Sequence, residues 1–129
     1  MAAFRWYTAN AMGVFTVPIE VGDPEGEGFR RFEALVDTGS SNTALPASVL
    51  RSLGVVPYRK AAFELADGRV LEAEIGRTWV RVNGDQELTQ VVFAEEDTQP
   101  ILGAITLEEL GLGVDTIKRA LIPVRRLRK

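Results

Sequence analysis

Ala34-Leu35-Val36-Asp37-Thr38-Gly39-Ser40-Ser41 is an apolar run that ends in a carboxylic acid, a hydroxyl and a glycine. Read as a strand, it places Leu35 and Asp37 on one face and the alternate apolar residues on the other. Gly39 then permits a turn where a Cβ atom would clash. The pattern predicts an acid held at the end of a rigid strand, beside small polar groups that can hydrogen-bond it. The same residues also fit an ordinary turn with Asp and Ser caps.

The composition excludes several kinds of catalytic site. The 129 residues include no Cys and no His. The lack of Cys excludes disulfides, thiol nucleophiles and Cys-ligated metal sites, and the lack of His excludes a Ser-His-Asp triad. Acid–base chemistry must therefore use carboxylates, lysine, tyrosine or a bound ion. Asp37 becomes the leading candidate, and we expect neither a metal nor a cofactor.

The length and the apolar content predict one domain that does not cross a membrane. The apolar content of 46 % is enough for a core, and no apolar window is long enough to span a bilayer. We read residues 1–12 as an N-terminal arm or an extra edge segment, not a signal peptide, and residues 13–129 as the domain. The net charge of −3 does not favour nucleic acid as a partner. A cytoplasmic location is the expectation.

Two charged runs leave alternatives open. Basic residues gather near the end of the chain, which fits a solvated terminal strand and tail, or else an anionic partner or membrane surface. They are Lys118, Arg119, Arg125, Arg126, Arg128 and Lys129. The run Glu95-Glu96-Asp97 could suggest a cation site, but adjacent acids without ligand spacing are more typical of a loop.

Alternating apolar residues and turn signals predict many short strands. Asp67-Gly68 and Asn83-Gly84 are strong hairpin turns. Short helices are predicted over 46–53 and over 106–110, the second with a capping box from Thr106 to Glu109. The predicted strands are 14–21, 29–36, 61–65, 69–75, 78–82, 88–94, 100–104 and 120–124. The residues thus predict a mostly-β barrel or sandwich with one or two short helices.

Two separate elements resemble the retropepsin-like aspartic proteases. Asp37-Thr38-Gly39-Ser40-Ser41 after an apolar strand is similar to the active-site signature of aspartic proteases. Ile101-Leu102-Gly103 before a short helix resembles the apolar-apolar-glycine element of the single-domain members. The order of elements also matches over residues 13–124. The resemblance implies a closed acid-protease barrel, mostly β, and an aspartic endopeptidase activity.

The resemblance also implies roles for the residues of the signature. Asp37 matches the catalytic aspartate, and Thr38 matches the threonine that locks two active-site loops together. Gly39 matches the glycine whose carbonyl faces substrate. Ser40 matches the small residue that hydrogen-bonds the catalytic carboxyl group.

The resemblance implies further positions that contact substrate. The chain departs from the family pattern in two ways, at the flap tip and at a charged pair. Ala66, Asp67 and Gly68 fall at the tip of the flap, where the charge of Asp67 is either unusual or simply good turn chemistry. Ile101 is expected among the apolar residues that line the subsites. Ser41 and Ala104 stand where retroviral members carry a paired Asp and Arg.

A single signature supplies half of an aspartic protease site. Peptide hydrolysis by this route needs two carboxyl groups that share a proton. We therefore expect a homodimer with one Asp37 from each copy, an intersubunit sheet from strands 14–21 and 120–124, and an extended peptide substrate. The alternatives are a catalytically weak or inactive peptide-binding or dimerisation module, and a structural dimerisation domain of a longer protein.

Overall fold

The computed structural model describes residues 15–64 and 67–124, and it contains nine strands and two short helices in these ranges. The predicted arm over 1–12, the flap residue Ala66 and the basic residues from Arg125 onward lie outside the described residues. In chain order the elements are β1 (Phe15–Val21), β2 (Arg30–Val36), β3 (Thr43–Pro46), α1 (Ala47–Ser52), β4 (Arg59–Glu64), β5 (Val70–Val82), β6 (Asp85–Ala94), β7 (Ile101–Leu102), α2 (Ala104–Leu110), β8 (Leu112–Asp115) and β9 (Ala120–Pro123).

Seven of the strands form one mixed sheet in the order β1-β2-β7-β3-β6-β5-β4. The pairs β2–β7 and β3–β6 are parallel, and the other neighbours are antiparallel. β1 also pairs with β5, where Glu20 and Val21 lie opposite Arg81 and Val80. β8 and β9 form a separate antiparallel pair. The fold is therefore mostly β with two short helices, as predicted, while closure of the sheet into a barrel stays a prediction.

Two apolar clusters hold the sheet and helices together. The larger one joins β1, β2, β3, β5, β6, β7 and both helices through fully buried side chains such as Ile19, Leu45 and Leu50. The smaller one, the hairpin cluster, lies beneath the β4–β5 hairpin. It consists of Ala44, Ile75, Val92, Ala94 and Ile101, with Leu35, Ala61, Phe63 and Ala73 packed against it.

Several boundaries differ from the sequence prediction. β5 is one continuous strand of 13 residues instead of two strands. α2 begins at Ala104, so the predicted capping box is wrong: the N-cap is Gly103, without a side-chain cap. Thr106 instead lies inside the helix and is fully buried. α1 begins at Ala47, one residue later than predicted, because Pro46 is its N-cap and the last residue of β3. α2 ends at Gly111, as predicted, in the left-handed conformation.

The acidic run is a loop in which Glu96 caps α1. The Ser48 amide donates to Glu96 Oε2 at 3.0 Å, and the Ser48 hydroxyl donates to Glu96 Oε1. These hydrogen bonds lower the pKa of Glu96. Within residues 15–64 and 67–124 no group of three or more acids is arranged to hold a metal ion. The described helices are all too short or too polar to cross a membrane.

Candidate active site

The backbone of Asp37 is fixed by the strand that pairs with β2. The Asp37 amide donates to the carbonyl of Leu102 at 3.2 Å, and the Leu35 amide donates to Pro100 at 2.8 Å. Leu35 and Val36 lie opposite Ile101 and Leu102 in parallel register. The two sequence elements that carried the family resemblance are therefore direct neighbours in the sheet.

The two oxygens of the Asp37 carboxyl group have different environments. The residue is 4 % exposed, and its Oδ1 accepts a hydrogen bond of 2.8 Å from the Gly39 amide. Oδ2 is buried and has no hydrogen-bond partner within the described part of the chain. Burial raises the pKa of this carboxyl above its ordinary value of 3.8, and the Gly39 amide opposes that rise by a smaller amount. The site thus holds a carboxyl of increased proton affinity, and one of its oxygens is buried without a partner among the described residues.

The loop after Asp37 is a tight turn with an exposed tip. The Ser40 amide donates to the backbone carbonyl of Asp37 at 3.1 Å, and both Thr38 and Gly39 are exposed. The Ser40 hydroxyl donates to the carbonyl of Asn42 at 3.0 Å. Since its single hydrogen points there, Ser40 does not donate to the Asp37 carboxyl in this structure, contrary to the expectation. It supports the shape of the loop instead.

The loop is pressed against the start of α2 at Gly103. A Cβ atom on Gly103 would lie 2.5 Å from the backbone carbon and oxygen of Asn42. Atoms at that distance overlap, so only glycine allows this approach. The glycine of the predicted apolar-apolar-glycine element is therefore required by close packing of two backbones.

Main-chain hydrogen bonds connect the segments around Ser41 and Ala104, the two positions without the family's Asp–Arg pair. The Ala104 amide donates to the carbonyl of Ser40 at 2.8 Å, and the Ile105 amide donates to the carbonyl of Ser41 at 3.0 Å. They connect the first turn of α2 to the active-site loop. The connection needs no charged side chain at either position.

Three buried threonines continue this support away from the loop. The Gly103 amide donates to Thr43 Oγ1 at 3.1 Å, and Thr43 Oγ1 lies 2.6 Å from Thr106 Oγ1. Thr106 Oγ1 lies 2.9 Å from Thr89 Oγ1, which donates to Glu109 Oε1 at 2.6 Å. No sequence signal pointed to these contacts, because the residues are far apart in the chain and Thr106 was interpreted as a helix cap.

The described residues at the tip of the β4–β5 hairpin form an exposed turn. Gly68 has a positive φ of 89°, which suits glycine. The Asp67 carboxylate accepts bonds from the Arg69 amide at 3.0 Å and from Arg69 Nε at 2.6 Å, and these bonds lower its pKa. Asp67 therefore behaves as a turn residue whose negative charge is paired with Arg69 in the same turn.

Ile101 lies beneath the hairpin and not on an open surface. It is 2 % exposed and belongs to the hairpin cluster, where Leu35 and Phe63 pack against the buried members. Its neighbour Leu35 shares a face of β2 with Asp37. The apolar residues on the Asp37 side of the sheet thus pack with side chains of the chain's own β4–β5 hairpin.

Comparisons with known proteins agree with this arrangement. The family described as "gag-polyprotein putative aspartyl protease" matches residues 27–109. Among solved structures, EIAV protease complexed with the inhibitor HBY-793 has a TM-score of 0.57 and 20 % identity, and the match covers 81 % of this chain and 93 % of that one. The retroviral protease-like domain of Ddi1 from Leishmania major also has a TM-score of 0.57 and 20 % identity, with 88 % and 90 % covered.

A retropepsin-like aspartic protease from Rickettsia conorii has a TM-score of 0.51 and 19 % identity, with 79 % of this chain and 87 % of that chain covered. At these identities the structural matches establish the fold alone. No curated protein matches the chain. The family match spans more than half of the chain and includes both the Asp37 signature and the Ile101-Leu102-Gly103 element. The chain therefore belongs to the gag-polyprotein aspartyl protease family, which is retropepsin-like.

Proposed function

We propose that this protein is a homodimeric aspartic endopeptidase that hydrolyses peptide bonds in extended substrates. The observation that carries the proposal is the Asp37 carboxyl group, with Oδ1 anchored by the Gly39 amide and Oδ2 buried without a partner in residues 15–64 and 67–124. A buried polar atom without a partner is costly unless another group satisfies it. A second Asp37, from another copy of the chain, is the group that the reaction requires.

The chemistry follows from two carboxyl groups held a few ångströms apart. Both cannot ionise together, so one keeps its proton and the pair titrates as a unit. The ionised member takes a proton from water as that water attacks the peptide carbonyl, while the protonated member donates to the carbonyl oxygen. The raised pKa of Asp37 favours retention of that proton. No acyl-enzyme forms, because the nucleophile is water.

Several features support a two-fold assembly. Thr38 is exposed beside Asp37, so it is available to contact the loop of a second copy. β9 pairs only with β8 in the described part of the chain, and Ile122 and Val124 near its end are exposed. We propose that β1 and β9 contribute to the intersubunit sheet. The β1–β5 pairing at Val21 and Val80 supports closure of each sheet into a barrel.

We propose that substrate binds between the β4–β5 hairpin and the face of the sheet that carries Asp37. An extended peptide there can pair its main chain with the protein, and its side chains can enter the apolar region near Leu35 and Ile101. Since Phe63 of the hairpin packs against that region, we propose that the hairpin lifts to admit a peptide. Asp67 and Gly68 lie at the hairpin tip and move with it.

A peptide-binding or dimerisation module with weak or absent hydrolysis is the second candidate. It is favoured by the closed hairpin cluster, which leaves Ile101 only 2 % exposed. Hydrolysis of an unfolded protein by the purified wild-type chain distinguishes the two candidates, because a module without catalytic function would bind the substrate and leave it intact.

The test of the proposed function compares Asp37→Asn with Asp85→Asn, which is the same chemical change at an exposed residue beside the Asn83-Gly84 turn. We expect Asp37→Asn to abolish hydrolysis of an unfolded protein while sedimentation still detects a dimer. Asp85→Asn should keep the activity within about threefold, because Asp85 is exposed and lies at the opposite end of β5 from the predicted flap. Activity that survived in Asp37→Asn would show that this carboxyl is not the catalytic one.

A further inference from the structure

The three buried threonines and Glu109, here called the hydroxyl chain (Thr43, Thr106, Thr89 and Glu109), form one continuous series of hydrogen bonds. It joins three elements: β3 carries Thr43, α2 carries Thr106 and Glu109, and β6 carries Thr89. All three threonines have no solvent exposure, whereas Glu109 is half-buried. Thr106 and Glu109 are three residues apart in α2, so both can face β6.

The direction of the bonds between the hydroxyl groups is determined by the Glu109 end of the series. Each threonine hydroxyl has one hydrogen to donate. Thr89 donates that hydrogen to the Glu109 carboxylate, so it must accept from Thr106. Thr106 has then used its hydrogen and must accept from Thr43.

At the other end, Thr43 accepts from the Gly103 amide, which can only donate. The direction set by the Glu109 carboxylate leaves Thr43 donating to Thr106 while it accepts from Gly103, so all four bonds run one way. A series of hydrogen bonds that all run one way is mutually polarised, and each bond strengthens the next. Glu109 thus sets the strength of the acceptor that Thr43 presents to Gly103.

The Gly103 amide is connected to the catalytic loop by short backbone contacts. Gly103 is packed against Asn42 so closely that a Cβ atom would overlap the backbone. The carbonyl of its neighbour Leu102 accepts a hydrogen bond from the Asp37 amide. The amide of its other neighbour, Ala104, donates to the carbonyl of Ser40. A shift at Gly103 would therefore be transmitted to the residues on both sides of the Asp37 carboxyl.

On the basis of the proposed function, we propose that Glu109 is a positioning residue for catalysis: through the hydroxyl chain it holds the Gly103 amide, and with it the loop that carries Asp37. Glu109 does not touch the reacting atoms. It acts through four successive hydrogen bonds, which end at the Gly103 amide.

The test removes the acceptor at the end of the hydroxyl chain with Glu109→Leu. We expect kcat to fall about tenfold with KM within about twofold, because small displacements of a catalytic group act on the chemical step. Hydrogen exchange of the Gly103 amide, followed by NMR, should become about tenfold faster. Glu109→Gln keeps an acceptor oxygen and should stay within about threefold of wild type in both measurements.

Three further variants make the result specific. Glu108→Leu is the matched control, since Glu108 is the exposed neighbour on the same helix and should change neither kcat nor Gly103 exchange. Thr89→Val, of nearly the same shape, breaks the series one bond further along and should show the same fall in kcat and faster Gly103 exchange, so it also carries the test if Glu109→Leu does not fold. In a Thr106→Val background, Glu109→Leu should have no additional effect on kcat.

Each outcome has a distinct meaning. Unchanged Gly103 exchange in both Glu109→Leu and Thr89→Val would overturn the inference. Faster exchange with unchanged kcat would overturn the positioning role and leave a structural one. If the wild-type chain hydrolyses nothing, the proposed function fails, whereas faster Gly103 exchange in Glu109→Leu still supports the hydroxyl chain as the support of the loop.

Discussion

Asp37 combines an anchored oxygen and an unpartnered one on a single buried carboxyl group. Because burial raises its pKa, the folded chain binds a proton at Asp37 more strongly than the unfolded chain does. Stability from this group is therefore complete below the unfolded pKa and is lost as pH rises through the folded pKa. Asp67 has the opposite sign, since its pKa is lowered and any stability that it adds is lost as pH falls.

This linkage predicts the effect of Asp37→Asn on the stability of the free chain. Asparagine keeps an oxygen for the Gly39 amide and carries no charge to desolvate. At concentrations too low for dimer formation, Asp37→Asn should be more stable than wild type at pH 7, and the difference should shrink toward pH 3. Urea unfolding at both pH values measures it. A variant that is less stable than wild type at pH 7 would contradict the assigned environment of Asp37.

Gly103 is a second residue whose environment predicts a large effect. Alanine there would place its Cβ atom 2.5 Å from the Asn42 backbone, so Gly103→Ala should cost about 3 kcal/mol of unfolding free energy and also lower activity. Gly54→Ala is the comparison, because Gly54 has a positive φ of 82° but open space around it. It should cost about 1 kcal/mol through backbone strain alone. Equal costs in chemical denaturation would argue against the close approach.

At the scale of elements, local signals and long-range pairing explain different parts of the fold. The hairpin turn at Asn83-Gly84 was predicted from two residues, and both adopt positive φ values, 52° and 87°. β3 and β8 are not visible in the sequence because neither alternates: β3 is buried throughout and β8 is half-buried throughout. β3 is defined by its neighbours β6 and β7. The start of α2 was misplaced because Thr106 fits a cap locally, whereas burial against Thr43 and Thr89 decides its position.

The Asn83-Gly84 turn gives a prediction at this scale. Alanine at Gly84 would have to keep a φ near 87°, so Gly84→Ala should lower the free energy of unfolding by about 1 to 2 kcal/mol. Gln86→Ala, at an exposed site in the same hairpin, should change it by less than about 0.5 kcal/mol. Denaturant unfolding monitored by Trp79 fluorescence compares them. Stability that did not change in Gly84→Ala would mean that the turn relaxes to another geometry.

At the scale of the whole molecule, the sequence predicts one half of a site well and its support poorly. The acid, its glycine and the strand that delivers them are consecutive in the chain, so their pattern is visible without a structure. Thr43, Thr89 and Glu109 support the active-site loop. They meet only through the parallel pairing of β3 with β6 and the contact of α2 with β6. The subsite prediction for Ile101 depends on hairpin position, which no local pattern encodes.

The central claim is that one active site is built from two chains, and subunit mixing tests it most directly. When wild type is exchanged to equilibrium with an equal amount of Asp37→Asn, about one quarter of the dimers should contain two wild-type chains. Peptidase activity should then fall to about one quarter of that of wild type at the same total concentration. Activity of about one half would mean that each chain carries a complete site, and it would contradict the shared carboxyl pair.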